Sequence, residues 1–365
     1  MNPFVLPRWK LTTCCGAACA EGHSHGAVAG RTHAGHGPSR RQFLAGGAAL
    51  GATLLATLAG GGRQALAQGA AMPAAASNVS PIEGLFDFHV HGSPDIFARS
   101  VNDDEILAMY KDRGMEGVVL KSHVALTADR AWLARRHVPG IKAFGGVALN
   151  SSAGGINPDA VKFMARMQGG FGRIVWLPTF DADNHVKHFH DAPEGIKVVD
   201  ANGKVLPAVR EVMKVCAQQK LIFATGHSSA EQVLALVEAA RDAGCERILV
   251  THAQFEVVNL SEEQMKKVAS MGAKMELCSM GVLSGPNAIL QAQKAWRYVS
   301  LEETAARVKA VGAQHFVLGT ALGQTGHPTP ADGYAAWVSG LLKTGLTADQ
   351  IKLAGRETPG KLLMG

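Results

Sequence analysis

The sequence predicts an α/β protein of the (β/α)8 type, a TIM barrel, on the strength of three observations. From Pro81 to the C-terminus, short apolar runs alternate with amphipathic helical patterns. Eight such runs over roughly 280 residues match the size and rhythm of an eight-stranded barrel. The first run leads into His91-Gly92-Ser93-Pro94 and not into a glycine-rich phosphate turn, which disfavours the alternative of a doubly wound open sheet.

Each apolar run has the length of a buried strand. The predicted strands are Leu85–Val90, Gly117–Leu120, Lys142–Leu149, Arg173–Leu177, Leu221–Thr225, Arg247–Thr251, Lys274–Leu277 and His315–Gly319. Between them the spacing predicts helices over Asn102–Arg113, Asp129–Arg136, Asp159–Met167, Ala208–Gln219, Ala230–Gly244, Glu262–Gly272 and Leu301–Gly312. Ser261 stands at an N-cap position, and Gly244, Gly272 and Gly312 stand where helices end. The Asn202-Gly203 pair predicts a small hairpin over Lys197–Leu206.

The first 67 residues are predicted to be a signal leader. Ser39-Arg40-Arg41-Gln42-Phe43-Leu44 is a twin-arginine signature, and a mildly apolar run follows it. That run is too short and too rich in glycine for a confident membrane span, and Ala65-Leu66-Ala67 offers a cleavage site. We therefore expect residues 1–67 to engage the twin-arginine export machinery, 68–81 to be a linker, and 82–365 to form one barrel that is periplasmic or secreted.

Most of the net positive charge belongs to the leader. Removing its six basic residues and one acidic residue from the totals of 36 and 30 leaves 30 and 29. The body is therefore nearly neutral, which gives no argument for nucleic acid or for an anionic membrane as a partner. Its three cysteines, Cys216, Cys245 and Cys278, are too few for a disulfide scaffold.

The first strand carries the most informative pattern of the chain, Asp87-Phe88-His89-Val90-His91. Strict strand alternation would direct Asp87, His89 and His91 to one face. Two imidazoles at this spacing can hold one borderline metal ion, whereas a buried pair without metal would need two separate hydrogen-bonding solutions. The pattern predicts that His89 and His91 are metal ligands and that Asp87 is a supporting or bracing residue.

Other polar residues follow later strands, at the barrel face where chemistry is usually found. His227 and His252 follow the fifth and sixth strands, opposite the first pair, and we expect them to be metal ligands too. The candidate substrate-binding residues at this face are His123, Thr179 and Glu276. His185, His188 and His190 lie in a polar stretch that we expect to be a solvated loop, and we expect His315 and His327 to be structural or exposed.

Lys121 ends the second strand and is the predicted catalytic residue. An inward lysine could be carbamylated to bridge two metal ions, could bind an anionic substrate group, or could form a Schiff base. It could equally extend into solvent. The residue pattern leaves these alternatives open.

With these residues in view, the chain resembles the amidohydrolase superfamily of metal-dependent barrel hydrolases. The resemblance rests on His89, His91, His227 and His252, and on the closing Glu357-Thr358-Pro359-Gly360-Lys361-Leu362-Leu363, which is similar to an Asn-Pro-Ala-x-Leu-Leu ending. Within the superfamily, the Leu-Lys-Ser-His and Trp-x-Pro-Thr segments resemble an uncharacterised subgroup. The resemblance implies one or two divalent ions and a metal-activated water that attacks a carbonyl or phosphoryl centre.

Two departures from the superfamily pattern matter. Its bridging lysine or glutamate comes from strand 4, where this chain has Trp176 and Thr179, so Lys121 is the candidate substitute. Its strand-8 aspartate, a ligand and proton acceptor, is replaced by Ala321. Alanine can neither coordinate nor accept a proton, and Glu276 and Asp181 are the candidate replacement bases.

The sequence therefore predicts an exported metal-dependent hydrolase, with zinc the favoured metal and manganese, iron or nickel as alternatives. Its substrate would be a small amide, lactone or ester. The competing interpretation is a degenerate barrel that binds metal or a small ligand without turnover. A third is carbon–carbon chemistry through a Lys121 Schiff base.

Overall fold

The computed structural model describes residues 80–189 and 194–365. The predicted leader with its twin-arginine signature, nearly all of the predicted linker, and His190 lie outside the described residues.

Eight parallel strands pair in chain order from the first to the eighth. They are β1 (Phe86–Val90), β2 (Gly117–Leu120), β3 (Lys142–Ala148), β4 (Gly172–Trp176), β5 (Ile222–Ala224), β6 (Ile248–Val250), β7 (Lys274–Cys278) and β8 (Phe316–Gly319). Backbone hydrogen bonds then join the ends of the first and last strands. The Ala321 N–H donates to His89 O at 2.7 Å, and the His91 N–H donates to Leu322 O at 2.8 Å. The predicted (β/α)8 barrel is confirmed, and the open-sheet alternative is excluded by the sequential order.

Helices follow the strands around the outside. They are α1 (Asp103–Asp112), α2 (Ala128–His137), α3 (Pro158–Ala165), α4 (Asp183–Phe189), α5 (Pro207–Gln218), α6 (Ala230–Asp242), α7 (Glu262–Ser270), α8 (Leu301–Val311), α9 (Pro330–Lys343), α10 (Ala348–Lys352) and α11 (Thr358–Met364). Ser261 caps α7 in a capping box with Gln264, and Gly272 follows that helix with φ of 88°. In the described part of the chain, no helix has the length and hydrophobicity that a membrane crossing requires.

The core has two layers. Most buried apolar residues lie between the sheet and the helices. A smaller inner cluster, with Phe88 and Trp176 at its centre, fills the barrel, and Leu362 and Leu363 of α11 join it. An added Cβ at Gly360 of α11 would lie 3.9 Å from Phe86, at the start of β1. The N-terminal end of the barrel is therefore filled by apolar side chains, and polar side chains collect at the other end.

The β1 strand departs from strict alternation, so one sequence prediction is wrong. Phe86 and Phe88 belong to the inner cluster, and the register with β2 shifts between Asp87 and Val90. Asp87 instead contacts Tyr110 of α1, on the helix side, whereas the His89 ring lies 6.3 Å from the Trp176 ring. The irregularity separates the bracing carboxylate from the two histidines.

Two smaller predictions concern the hairpin after the fourth strand and the cysteines. The predicted hairpin is reduced to one antiparallel bridge, between Val199 and Val205, around the Asn202-Gly203 turn. The three cysteines in the described residues are buried and unpaired.

The Asp87 carboxylate connects β1 to β8. Its Oδ1 accepts the backbone N–H of Thr320 at 2.8 Å and that of His89 at 3.0 Å, and its Oδ2 accepts the Thr320 hydroxyl at 2.7 Å and the Tyr110 hydroxyl. Burial raises the pKa of Asp87 to about 6, while the hydrogen bonds from these donors lower it. The predicted bracing role of Asp87 agrees with these contacts.

Asp87→Ala should lower the free energy of unfolding by about 3 kcal/mol or more, because it leaves buried donors on Tyr110 and Thr320 without an acceptor. Urea unfolding followed by circular dichroism measures the effect. Glu211→Ala removes an exposed carboxylate paired with Lys214 and should cost less than about 1 kcal/mol. Equal midpoints for the two variants would contradict the bracing role.

Candidate functional site

Every predicted site residue is buried at the C-terminal end of the barrel, and contacts link them into one group. All are 5% exposed or less: His89, His91, Lys121, His123, Thr179, His227, His252 and Glu276. Ring centroids of His89 lie 4.9 Å from His91 and 4.8 Å from His252, and His252 lies 5.4 Å from His227. Residues that are up to 187 positions apart in the chain therefore meet at this end of the barrel, as their places at the strand ends predicted.

His89 and His91 face each other through ring nitrogens that carry lone pairs. His91 Nδ1 lies 3.0 Å from the Lys121 carbonyl oxygen, which can only accept, so Nδ1 carries the proton. His89 Nδ1 lies 2.5 Å from Glu276 Oε1 and donates to that carboxylate. The two Nε2 atoms are therefore unprotonated and lie 3.1 Å apart. Two lone pairs at this distance repel each other unless a cation lies between them.

Burial lowers the pKa of the site histidines well below the usual value, which keeps the rings neutral. This holds for His89, His91, His123, His227 and His252. Neutral imidazole is the form that binds a metal ion.

Two residues at the site adopt the left-handed backbone region without being glycine. His252 has φ of 50° and follows β6; Ala321 has φ of 54° and follows β8. Such conformations are uncommon outside glycine, and they concentrate at functional sites. Ala321 is fully buried beside Phe255, Cys278 and Met280, so no carboxylate comes from this strand end.

His227 is positioned by Gly226 and by His185, and the sequence analysis predicted the location of His185 wrongly. Gly226 has φ of 63°, and a Cβ there would come within 2.4 Å of the Leu177 carbonyl oxygen. His227 Nδ1 lies 2.9 Å from Nδ1 of His185. His185 was expected in a solvated loop, but it lies buried on α4. The signal was available, because Ala182, His185 and Phe189 repeat at helical spacing.

A hydrogen-bond relay assigns the tautomer of His123. The Thr179 N–H donates to Asn150 Oδ1 at 2.8 Å, which fixes the orientation of that amide. Asn150 Nδ2 then donates to Thr179 Oγ1 at 2.8 Å. Among the described residues, His123 Nδ1, at 2.8 Å, is the one acceptor within reach of the Thr179 hydroxyl proton; the hydroxyl therefore donates to it, and the proton of neutral His123 resides on Nε2. The ring stacks on His91 with centroids 4.8 Å apart. His123 therefore offers a donor beside the histidine pair, and Thr179 orients it.

Lys121 lies inside the site and does not extend into solvent. Its Nζ is buried, lies 5.5 Å from the centre of the Trp176 ring, and has no hydrogen-bond partner among the residues that the structure describes. Burial lowers the pKa of Lys121 to about 7, against the opposing charges of Glu276 and Cys278. A substantial share of the amine is therefore neutral near pH 7.

Glu276 and Cys278 lie on β7 with side chains in the site. Cys278 Sγ lies 3.3 Å from both Glu276 Oε1 and His252 Nδ1. The sequence analysis did not identify Cys278, although its spacing of two from Glu276 on one strand gives the two residues the same face. Glu276 contacts His89 and His252, so its predicted substrate contact stays a prediction.

The remaining candidates lie at the edge of the site or away from it. Asp181 Oδ2 accepts the Ser151 N–H at 2.7 Å, and His188, expected in a loop, lies on α4 with Nε2 3.4 Å from Glu256. His315 is partly buried after α8. His327 lines a cavity of about 460 Å³ between the loops after β7 and β8, which none of the eight predicted site residues lines.

The sequence of the barrel matches a known family model over residues 84–276, which covers β1 to β6, the first three residues of β7 and every predicted site residue. The model is described as a family of unknown function, DUF6282. The chain belongs to this family. Among proteins with curated descriptions, none matches the chain.

Solved structures share the barrel. An amidohydrolase from Pseudomonas aeruginosa is similar with a TM-score of 0.50 and 10% identity, over 78% of this chain and 96% of that chain. A mutant of an organophosphorus hydrolase from Deinococcus radiodurans gives a TM-score of 0.49 and 14% identity, over 78% of this chain and 95% of that chain. At 10% identity the first likeness shows a common fold.

Proposed function

We propose that this protein is a metal-dependent hydrolase of the amidohydrolase type that acts on a small amide, lactone or ester. The observation that carries the proposal is the facing pair of unprotonated Nε2 atoms on His89 and His91. Ligand atoms of one tetrahedral zinc ion lie about 3.3 Å apart when zinc–nitrogen distances are 2.0 to 2.1 Å. The separation of 3.1 Å is close to that value.

Two buried nitrogens, Lys121 Nζ and His227 Nε2, have no hydrogen-bond partner among the described residues. His227 Nε2 suits a cation, whereas Lys121 Nζ suits an acceptor such as a substrate oxygen. Buried polar atoms are rarely left in this state without an unseen partner such as an ion or a water. The donors are mostly imidazole, a set that suits zinc.

The chain's own residues supply the remaining parts of a hydrolytic site. A bound divalent ion would polarise the substrate and activate water for attack on the carbonyl carbon. Glu276 and the Lys121 carbonyl hold the two histidines in the tautomer that exposes Nε2. His123 would donate its Nε2–H to the substrate oxygen, where negative charge develops. Lys121 is buried and has no hydrogen-bond partner among the described residues. Its neutral amine would either add carbon dioxide, with release of one proton, to give a carbamate that holds two ions, or bind the substrate oxygen.

A second candidate function is a barrel that binds metal or a small ligand without turnover. Ala321 favours it, because this strand end offers no proton acceptor. Glu276 is already engaged with His89, and Asp181 with a backbone N–H.

Replacing both His89 and His91 with alanine should abolish tight metal binding, because the facing nitrogens are removed. The measurement is metal content by inductively coupled plasma mass spectrometry on protein purified without a metal-affinity tag. Histidines of the leader contribute equally to wild type and variant, so the difference reports the site. We expect a loss of about one or two equivalents of a transition metal.

His137→Ala is the control, since this exposed histidine of α2 pairs only with Asp104. Lys121→Ala in the same series separates its two roles: loss of one ion indicates bridging, and full metal content with loss of activity indicates contact with substrate. A folded wild type without metal would overturn the hydrolase proposal.

Ala321→Asp should raise the hydrolytic kcat by about 10²-fold, because a positioned general base typically contributes 10² to 10⁴. Aspartate tolerates the left-handed backbone at this position better than most residues do. Initial rates on a panel of lactones, esters and amides measure the change. Ala201→Asp, at an exposed position in the hairpin turn, is the matched control. An Ala321→Asp variant with full metal content and no gain would refute the missing-base argument.

We further propose that the chain is exported by the twin-arginine route, on the basis of Arg40 and Arg41 before an apolar run. Replacing both arginines with lysine keeps the charge, and it should leave the unprocessed chain in the cytoplasm of a bacterial host. Immunoblots of cell fractions measure this, with Arg8→Lys as the control. Export of the double variant at the wild-type level would contradict the proposal.

A further inference from the structure

A second group of metal-ligand atoms lies beside the first pair of histidines. One ligand atom from each of four buried residues falls within 4.8 Å of the others: His89, His252, Glu276 and Cys278. Two of these residues, Glu276 and Cys278, are not among the predicted ligands. Both lie on β7, two positions apart, so the strand directs them to the same side.

Distances within this group match the coordination of one ion. Cys278 Sγ lies 3.3 Å from His252 Nδ1 and 3.3 Å from Glu276 Oε1, and His252 Nδ1 lies 3.6 Å from Glu276 Oε2. Ligands of a tetrahedral zinc ion, with zinc–sulfur of about 2.3 Å and zinc–nitrogen or zinc–oxygen of about 2.0 to 2.2 Å, are separated by roughly 3.3 to 3.6 Å. One ion can therefore contact all three side chains without a large movement.

The same contacts are poor as hydrogen bonds. A separation of 3.6 Å between His252 Nδ1 and the carboxylate exceeds the length of a normal hydrogen bond. Its other neighbour, the thiol, is a weak donor and a weak acceptor. A buried imidazole nitrogen is thus left with weak partners, which a cation would replace.

A neighbouring histidine also has a nitrogen without a partner. His227 Nε2 is buried without a partner among the described residues, and its ring lies 5.4 Å from that of His252. His227 is 1% exposed. His227 is therefore a neighbour of the group, although it is not one of the four residues whose ligand atoms lie within 4.8 Å of one another.

The position of Cys278 also accounts for the alanine on the next strand. Cys278 is paired in register with Gly319 of β8 and packs in the same small cluster as Ala321. A thiolate from β7 would supply the negative charge that the Ala321 side chain lacks. On binding a cation, the thiol S–H bond breaks, the sulfur keeps the electron pair, and the proton passes to solvent.

We propose that His252, Glu276 and Cys278 form a second metal site, next to the one at His89 and His91, in which Cys278 is a thiolate ligand. The proposal rests on the proposed metal-dependent function and specifies its second ion. Oε1 of Glu276, which is also the oxygen nearer to Cys278 Sγ, would keep the hydrogen bond to His89, and Oε2, 3.6 Å from His252 Nδ1, would be the ligand oxygen. A soft sulfur ligand favours zinc over magnesium or manganese at this site.

Substitution with cobalt(II) tests the proposal through absorption, because a bound thiolate gives a near-ultraviolet charge-transfer band that nitrogen and oxygen ligands do not give. All proteins carry Cys14→Ser, Cys15→Ser and Cys19→Ser, so that thiols of the leader cannot contribute. We expect the charge-transfer band in this parent protein. Cys278→Ser should lose the band and about one of the two cobalt equivalents. Cys245→Ser should keep both. Cys245 is the matched control, a buried cysteine whose thiol donates to the Met213 carbonyl oxygen.

Cys278→Asp separates ligation from packing, since it should keep both ions while the band disappears. A cobalt-loaded parent with visible ligand-field bands but no thiolate band would overturn the second site and leave the metal-dependent function standing. A band that survives Cys278→Ser would do the same. A folded parent that takes up no cobalt would overturn both proposals.

Discussion

The closure of the barrel between its first and last strands is the constraint on which the site depends. The buried carboxylate of Asp87 accepts hydrogen bonds from the backbone N–H and the hydroxyl of Thr320 and from the backbone N–H of His89. The residues after Thr320 then return to β1, where the Ala321 N–H donates to the His89 carbonyl oxygen. The positions of His89 and of the strand-8 end are therefore set by the same hydrogen bonds. A loss of closure would separate the first metal-ligand candidates from the remainder of the site.

Three of the site histidines are each held at Nδ1, which leaves Nε2 for a ligand. Glu276 holds Nδ1 of His89, the Lys121 carbonyl holds Nδ1 of His91, and Thr179 holds Nδ1 of His123. The nature of each partner decides the outcome. A carboxylate or a carbonyl accepts a proton and leaves Nε2 free to bind a cation, whereas the Thr179 hydroxyl donates and leaves a proton on Nε2. The neighbouring rings of His91 and His123 therefore differ in role: Nε2 of His91 can bind a cation, and Nε2 of His123 can donate a hydrogen bond.

The sequence predicted the barrel and the convergence of the site because both follow from periodicity. Strand-length runs give the strand count, and parallel strands bring His89, His227 and His252 to one face wherever they occur in the chain. The local irregularity of β1 could not be predicted, since a register shift leaves no mark in the pattern of apolar residues. The buried position of His185 on a helix was missed because three residues at helical spacing are a weak signal within a polar stretch. Cys278 was missed because a single cysteine in an apolar strand is usually a packing residue.

No carboxylate comes from Ala321 at the end of β8, and the second metal site proposed above would take its negative charge from β7. The backbone at Ala321 retains the left-handed conformation that aspartate accommodates and alanine adopts at some cost, so the strand end keeps its shape although its side chain cannot ligate. Beside it, Cys278 and Glu276 bring acidic groups from the neighbouring strand to within 3.3 Å of each other. Burial raises the pKa of the Cys278 thiol, so the carboxylate of Glu276 supplies the charge at first and the sulfur adds its own when a cation binds it. The negatively charged ligands that a cation needs can thus come from β7 and not from the end of β8, without any change in the barrel that positions them.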